Sequence, residues 1–146
     1  MILTILRGIS GSGKSTLAKR WPLASVFSTD NQFIIDGKYA FDPTLLADAH
    51  KENQRLVECA MQAREAHIVV DNTNTRMWMM VPYARLAVAY GYSVNIEEPD
   101  TEWRFDVDGL VARNAHGVPR DTIKSMIACY EHDITPEDLL AVAARS

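Results

Sequence analysis

Cysteine is scarce: Cys59 and Cys129 are the only two in 146 residues, and neither has a CxxC partner. That excludes a disulfide framework and a cysteine-ligated zinc site, and both thiols read as small buried side chains in a reducing interior. Long apolar runs are missing as well, none approaching the ~20 residues of a membrane span. The opening residues, MILTILRG, lack the basic leader and small-residue cleavage site of a secretory signal and read as a strand. Basic residues are in deficit, 15 Lys and Arg against 19 Asp and Glu, for a formal charge of −4. A surface built throughout for DNA or RNA is thereby excluded, although a local basic groove is not. Repeats, low-complexity tracts and Pro/Gly/Ser linkers are also absent. With 47% hydrophobic and 23% charged residues, a chain this long buries roughly two-thirds of its unfolded surface in one core. The expectation is one domain over residues 1–146 in a cytoplasmic protein.

What is present is a punctuated alternation of strand and helix patterns. Residues 2–7 read as a first strand leading into Gly8, and a helix follows from about 14 to 20, ended by Pro22. Residues 25–29 form a second short strand that stops at Asp30, and 36–43 (DGKYAFDP) carry the punctuation of a loop. Asp42 and Pro43 suit the start of a long helix with Leu46, Ala49, Asn53, Leu56 and Ala60 on one face. Residues 67–71 (HIVVD) make a third strand, apolar enough to be buried on both sides. The next helix, about 76 to 90, turns Met77, Val81, Ala84 and Val88 inward and stops at Gly91, before a fourth strand at 93–97.

Helices dominate the remainder. Asp106 caps a short one, with Phe105 and Leu110 placed as a hydrophobic staple. Residues 113–119 (RNAHGVP) break it, another runs to about 132, and a last one starts at Thr135 with Pro136 and Asp138 in its first turn. Strands alternating with helices imply an α/β fold, a parallel sheet covered on both faces.

The strongest signal is Gly8-Ile9-Ser10-Gly11-Ser12-Gly13-Lys14-Ser15, which fits G-x-x-x-x-G-K-[ST] between a strand and a helix. Glycines let the backbone turn tightly, so that successive N–H groups point at an anion. The helix that follows brings the positive end of its dipole to the same place. Lys14 is then placed to bridge the β and γ phosphates of ATP, and the Ser15 hydroxyl to ligate Mg²⁺.

Two acidic strand ends bear on what is done with the triphosphate. Asp30 follows SVFST and Asp71 follows IVV, and parallel strands present their C-terminal ends to the ligand crevice. One carboxylate suits the base for an incoming hydroxyl, the other the water around Mg²⁺. Asn72, Thr73 and Asn74 extend the same edge with neutral hydrogen-bonding groups, at least one of them facing the substrate. Arg113, in the late break, is placed either to close on the transferring phosphoryl group or to complement its own helix dipole. Arg76, Arg120 and Lys124 read as solvated charges.

With these residues assembled, the sequence resembles the P-loop kinase domain of polynucleotide 5′-hydroxyl kinases, in the small branch typified by the kinase-like domain of the Nedd-four-binding protein. The likeness runs through RGISGSGKSTLAKR, STDNQF, the YAFDP segment with AHKENQ, VVDNTN, EEPDTEWRFD and RNAHGVPRDTIKSMIACYEHD. It implies a three-layer P-loop NTPase-type sandwich, four parallel strands and a C-terminal helical lid. It implies that residues 11–16, through Thr16, hold ATP, that Asp30 is the general base and that Arg113 is the lid arginine engaging the phosphates. One departure stands out. The phage polynucleotide kinase pairs an arginine three residues beyond its base with an acidic residue in the DTN-like segment, where this chain has Phe33 and Asn72. Phe33 is therefore either a stacking surface for a base of a single strand or a buried side chain, with burial slightly favoured.

Three functions follow as expectations: an ATP-dependent kinase of a nucleic-acid 5′-hydroxyl, a kinase of a nucleoside, sugar or other small metabolite, or a nucleotide-binding ATPase module with no acceptor. His50 and Asn53, polar groups on the long helix, have no assigned role.

Overall fold

The computed structural model describes residues 1–145. In chain order it contains β1 (Ile2–Leu6), α1 (Lys14–Ala18), β2 (Ser25–Phe27), β3 (Ile34–Ile35), β4 (Lys38–Tyr39), α2 (Leu46–Gln62), β5 (His67–Asp71), α3 (Met77–Tyr90), β6 (Ser93–Glu97), α4 (Val107–Arg113), α5 (Arg120–Cys129) and α6 (Pro136–Ala143). Four strands pair in parallel in the order β2-β5-β1-β6. The central strand is apolar on both sides because both sides are covered. Leu3 and Ile5 join a core with α2, α3 and α6, whereas Leu6 meets Leu17 and Ala18 of α1 on the opposite face. A third cluster, Ile9, Leu110, Ile123 and Tyr130, fastens α4 and α5 over the loop after β1. The register aligns Leu6 with Asp71 and Glu97, so the segments leaving β1, β5 and β6 share one edge. Helices on both faces and parallel strands match the expected three-layer architecture. No helix among the described residues is long and apolar enough to cross a membrane.

Several local expectations are corrected. β1 ends at Leu6, and Arg7 is fully buried beyond it. α1 stops at Ala18, two residues short of Arg20. β2 ends at Phe27, because Thr29–Phe33 winds into a 3-10 turn that buries Thr29 and Phe33. The segment read as a loop opens with a hairpin: β3 and β4 pair antiparallel across Asp36 (φ 51°) and Gly37 (φ 78°). Two successive positive φ values suit the right-handed twist of flanking strands, which is why Asp-Gly favours such turns. Asp42 caps a short 3-10 turn, its carboxylate accepting from the Thr44 N–H at 2.9 Å, and α2 begins after it. The buried face of α2 is Ala49, Asn53, Val57, Ala60 and Met61, so Leu46 and Leu56 lie off it. α3 buries Met80, Val81, Tyr83, Ala84 and Ala87 and leaves Val88 exposed. α5 ends at Cys129 instead of about 132, since Tyr130 turns to extended backbone (ψ 122°). The cysteines differ from expectation too. Cys59 is exposed and Cys129 half-buried, because both face away from the core stripes of their helices.

Candidate active site

The loop between β1 and α1 is held open by neighbours that pull its carbonyls outward. Gly11 (φ 89°) and Gly13 (φ 111°) adopt left-handed backbone, which a side chain at either position would strain. A Cβ at Gly11 would also lie 2.6 Å from the Leu110 carbonyl oxygen. The Trp103 Nε1–H donates to the Gly11 carbonyl at 3.0 Å, and the Thr101 hydroxyl donates to that of Ser12 at 2.7 Å. The Gly8 N–H donates to the Thr73 carbonyl at 2.9 Å, tying the loop to the end of β5. Lys14 Nζ donates to the Gly8 carbonyl at 3.0 Å and reaches that of Ile9 at 3.4 Å. Burial pulls its pKa down, opposed by the carboxylates of Asp71 and Asp30. The Ser12 hydroxyl is buried without a partner, Ser10 is half-buried with its hydroxyl 4.0 Å from Met126 Sδ, and Ser15 and Thr16 are exposed at the start of α1. That donor set fits a triphosphate, with Ser15 free to hold Mg²⁺. Among the described residues, no group of three or more His, Cys, Asp or Glu is placed to hold a metal by itself.

Opposite Lys14 stand the two carboxylates. Asp71, at the end of β5, is half-buried, and burial raises its pKa while Lys14 pulls the other way. Asp30 sits in the 3-10 turn, its Oδ1 accepting from the Tyr39 hydroxyl at 3.2 Å and its Oδ2 3.7 Å from His116 Nε2. Desolvation and the neighbouring Asp30 push the Tyr39 pKa up to about 12, so Tyr39 remains a donor at any physiological pH. The turn is braced from behind. Asn72 Oδ1 accepts from the Thr29 N–H at 2.9 Å, and its Nδ2 donates weakly to the Tyr83 hydroxyl, which also accepts from Asn53 Nδ2 at 2.9 Å. His50 Nδ1 lies 3.1 Å from the Thr29 hydroxyl, and burial lowers the His50 pKa. His50 and Asn53 thus brace the segment that carries Asp30.

The expected site residues therefore divide. Lys14, Asp30 and Asp71 lie near enough to influence one another electrostatically. Asn72 is spent on bracing, and Asn74 is 2% exposed, its Nδ2 donating to the Leu6 carbonyl at 2.8 Å. Thr73 stays half-buried beside Gly8. Phe33 is 3% exposed, which decides for burial over stacking at that position. Arg113 is exposed; its guanidinium lies 4.0 Å from the Trp103 ring centre, and Nη1 donates to the Gly109 carbonyl at 3.2 Å.

Five residues around this site went unread in the sequence. Arg7 donates through Nε to the Asn74 carbonyl and through Nη2 to that of Thr75, both at 3.0 Å. Its guanidinium carbon lies 4.3 Å from the Tyr130 ring centre, and Nη1 lies 3.9 Å from the Glu98 carboxylate that accepts from the Tyr130 hydroxyl. These residues border a cavity of about 340 Å³ that Gly8 and Ser12 also line. The one available signal was an arginine closing an apolar run. Tyr39 and His116 left a different one: an aromatic after Asp-Gly and a histidine in the late break.

A family model described as an AAA domain matches residues 3–132. The chain is 39% identical over 139 residues to NEDD4-binding protein 2 of Homo sapiens, covering 92% of this chain and 8% of that protein. It is 32% identical over 139 residues to 2′,3′-cyclic-nucleotide 3′-phosphodiesterase of Rattus norvegicus, covering 92% of this chain and 32% of that one. The chain thus spans a third or less of the length of these curated relatives. Among solved structures, the Pnkp1/Rnl/Hen1 RNA repair complex superposes with a TM-score of 0.64 at 19% identity, over 87% of this chain and 43% of that one. A kinase candidate from Chloroflexus aurantiacus j-10-fl gives 0.61 at 18% identity, over 99% and 79%. Sequence match and shared fold together make this chain a member of the AAA-domain family, with the P-loop kinase-like architecture.

Proposed function

We propose that this chain is an ATP-dependent phosphotransferase that moves the γ-phosphoryl group to a hydroxyl, most specifically the 5′-hydroxyl of a nucleic acid. The observation that carries the reading is the phosphate-loop backbone with Lys14 at its end, together with Asp30, held through Oδ1 by the Tyr39 hydroxyl and near enough to act electrostatically on Lys14. A phosphate grip and an oriented carboxylate across from it are what transfer to a hydroxyl requires. Gly8, Ser10, Gly11, Ser12 and Gly13 would cradle the phosphates, and Thr16 would close the row. Lys14 would neutralise charge between the β and γ phosphates, and Asp30 would take the acceptor's proton. Mg²⁺, held by the Ser15 hydroxyl and the phosphates, would supply further charge neutralisation when bound. Arg113 would join by leaving Trp103, since its side chain is long and exposed. The name of one similar structure carries RNA repair and that of one relative cyclic-nucleotide chemistry, which supports an acceptor that is a nucleic acid or nucleotide.

A second reading, phosphorylation of a small acceptor such as a nucleoside or sugar, draws on Phe33 and Asn72. One is buried and the other bonded into the framework, so neither takes up an acceptor phosphate.

Transfer of label from γ-³²P-ATP with Mg²⁺, to a 5′-hydroxyl oligonucleotide or to pooled nucleosides and sugars, tests both. Labelled oligonucleotide is expected, with Lys14→Ala and Asp30→Asn each lowering kcat about 100-fold or more. Label confined to small molecules overturns the nucleic-acid reading. Free phosphate alone, with Asp30→Asn unaffected, makes the chain an ATPase module.

A further inference from the structure

The Tyr39 ring has one face covered by a single flat heterocycle. The His116 imidazole lies on it with ring centres 4.3 Å apart and planes 32° from parallel. The same imidazole carries Nε2 to 3.7 Å from Asp30 Oδ2. One group therefore spans an aromatic seat and the carboxylate at once. From this geometry we propose that the Tyr39 face is the seat of the acceptor's own nucleobase, held in the free protein by His116. The proposal rests on the kinase reading above and narrows the acceptor to a nucleobase-bearing end over a sugar or polyol.

The seat is built, not incidental. Tyr39 is fixed at its hydroxyl by Asp30. Its ring edge meets buried Phe33 at 6.4 Å and 73°, and Phe33 in turn meets Phe41 at 5.1 Å and 64°. Ile34 pairs with Tyr39 in the hairpin, and the Ala40 N–H donates to the Phe33 carbonyl at 2.8 Å. Phe33, which stands where the phage enzyme has an arginine, thus serves a stacking surface without itself being one. By contrast, His116 has an exposed side chain. Its loop is exposed, its N–H donates to Asn114 Oδ1 at 3.1 Å, and Gly117 follows at φ 66°. A purine or pyrimidine offers a larger ring face than imidazole, so it displaces His116 with a net gain in stacking. The hydroxyl one sugar away from that base then falls at the Oδ2 that His116 has left.

Steady-state phosphorylation at saturating ATP tests this with three acceptors: a 5′-hydroxyl oligonucleotide, the same oligonucleotide with an abasic 5′ residue, and a free nucleoside. The wild-type protein is expected to show a KM roughly tenfold lower for the base-bearing oligonucleotide than for the abasic one. Tyr39→Leu should erase that difference, leaving the KM for ATP unchanged. Tyr39→Phe should keep the difference but lower kcat several-fold, because Asp30 loses the donor that orients it. His116→Ala should lower the KM for base-bearing acceptors by removing the competing ring. Equal KM values for base-bearing and abasic ends in the wild-type protein would overturn the proposal, as would a rise in KM on His116→Ala. The free nucleoside separates sources: a KM shift with Tyr39→Leu on both acceptors supports a seat for the base itself, and none on either overturns it. Label on neither oligonucleotide nor nucleoside sinks the nucleic-acid kinase reading on which the proposal rests, an outcome distinct from equal label on base-bearing and abasic ends.

Discussion

Arg7 joins three segments that the sequence keeps far apart. Its guanidinium satisfies the Asn74 and Thr75 carbonyls, faces Glu98 and lies over Tyr130. Removing a fully buried cation with committed partners leaves those partners unpaired, at a cost of about 3–5 kcal/mol. Arg7→Met should therefore shift the urea midpoint downward by that much stability, and an unchanged midpoint would show that the carbonyls find other donors. The arginine itself was visible at the end of ILTILR, but its partners were not, since each is at least 67 residues away. The side chains proposed to act in catalysis read more easily than supporting ones for the same reason. Lys14 and Asp30 announce themselves by local spacing, whereas the pairing of Tyr39 with His116 exists only after the hairpin and the late loop have met.

Elements were legible where their signals are local. Thr135, Pro136 and Asp138 form the complete capping box at α6 that their spacing announces, with both reciprocal bonds at 3.1 Å. Thr135→Ala removes one of them and should cost about 1 kcal/mol. A fall of a few degrees in melting temperature would register it, and no change would mean that α6 is held by packing on α3 alone. The helix stripes were legible in part: Ala49, Asn53 and Ala60 of α2 and Val81 and Ala84 of α3 are buried as expected, whereas Leu46, Leu56 and Val88 are not. Asn53 lies on the inward face expected of α2 and is satisfied there by the Tyr83 hydroxyl, which accepts from its Nδ2, whereas Tyr83 itself lies outside the stripe expected of α3. The β3–β4 hairpin is the clearer omission. Asp36-Gly37 was in plain sight, but two-residue strands carry too little apolar pattern to register beside it.

On the scale of the whole molecule, the parallel sheet followed from alternating elements and the family from a motif in its context. The strand order did not, because β2 lies beyond β5 and only tertiary packing decides that. The assembled site leaves a charge problem. Burial disfavours the charged form of both Asp71 and Lys14. For Asp71 the native pKa lies above the unfolded one, so stability falls as pH rises from about 4 through the native value. For Lys14 it lies below, so stability is regained only as pH climbs from the native value toward 10.5. Neutral pH is thus where this pair costs the free protein most. Lys14→Met with Asp71→Asn should raise stability at pH 7 by about 1–2 kcal/mol while abolishing nucleotide binding. Urea midpoints at pH 5, 7 and 9 check it, and an equal or lower midpoint at pH 7 refutes it. The grip of Trp103 on Gly11, with Leu110 pressed against the same glycine, has a consequence for tempo. α4 is tied to the phosphate loop, and the stretch beyond it, around His116 and Gly117, is short and bridged by the Asn114 side chain. Segments of that size rearrange within nanoseconds to microseconds. If turnover proves slow, the clock is set by bond chemistry or product departure, not by a gate.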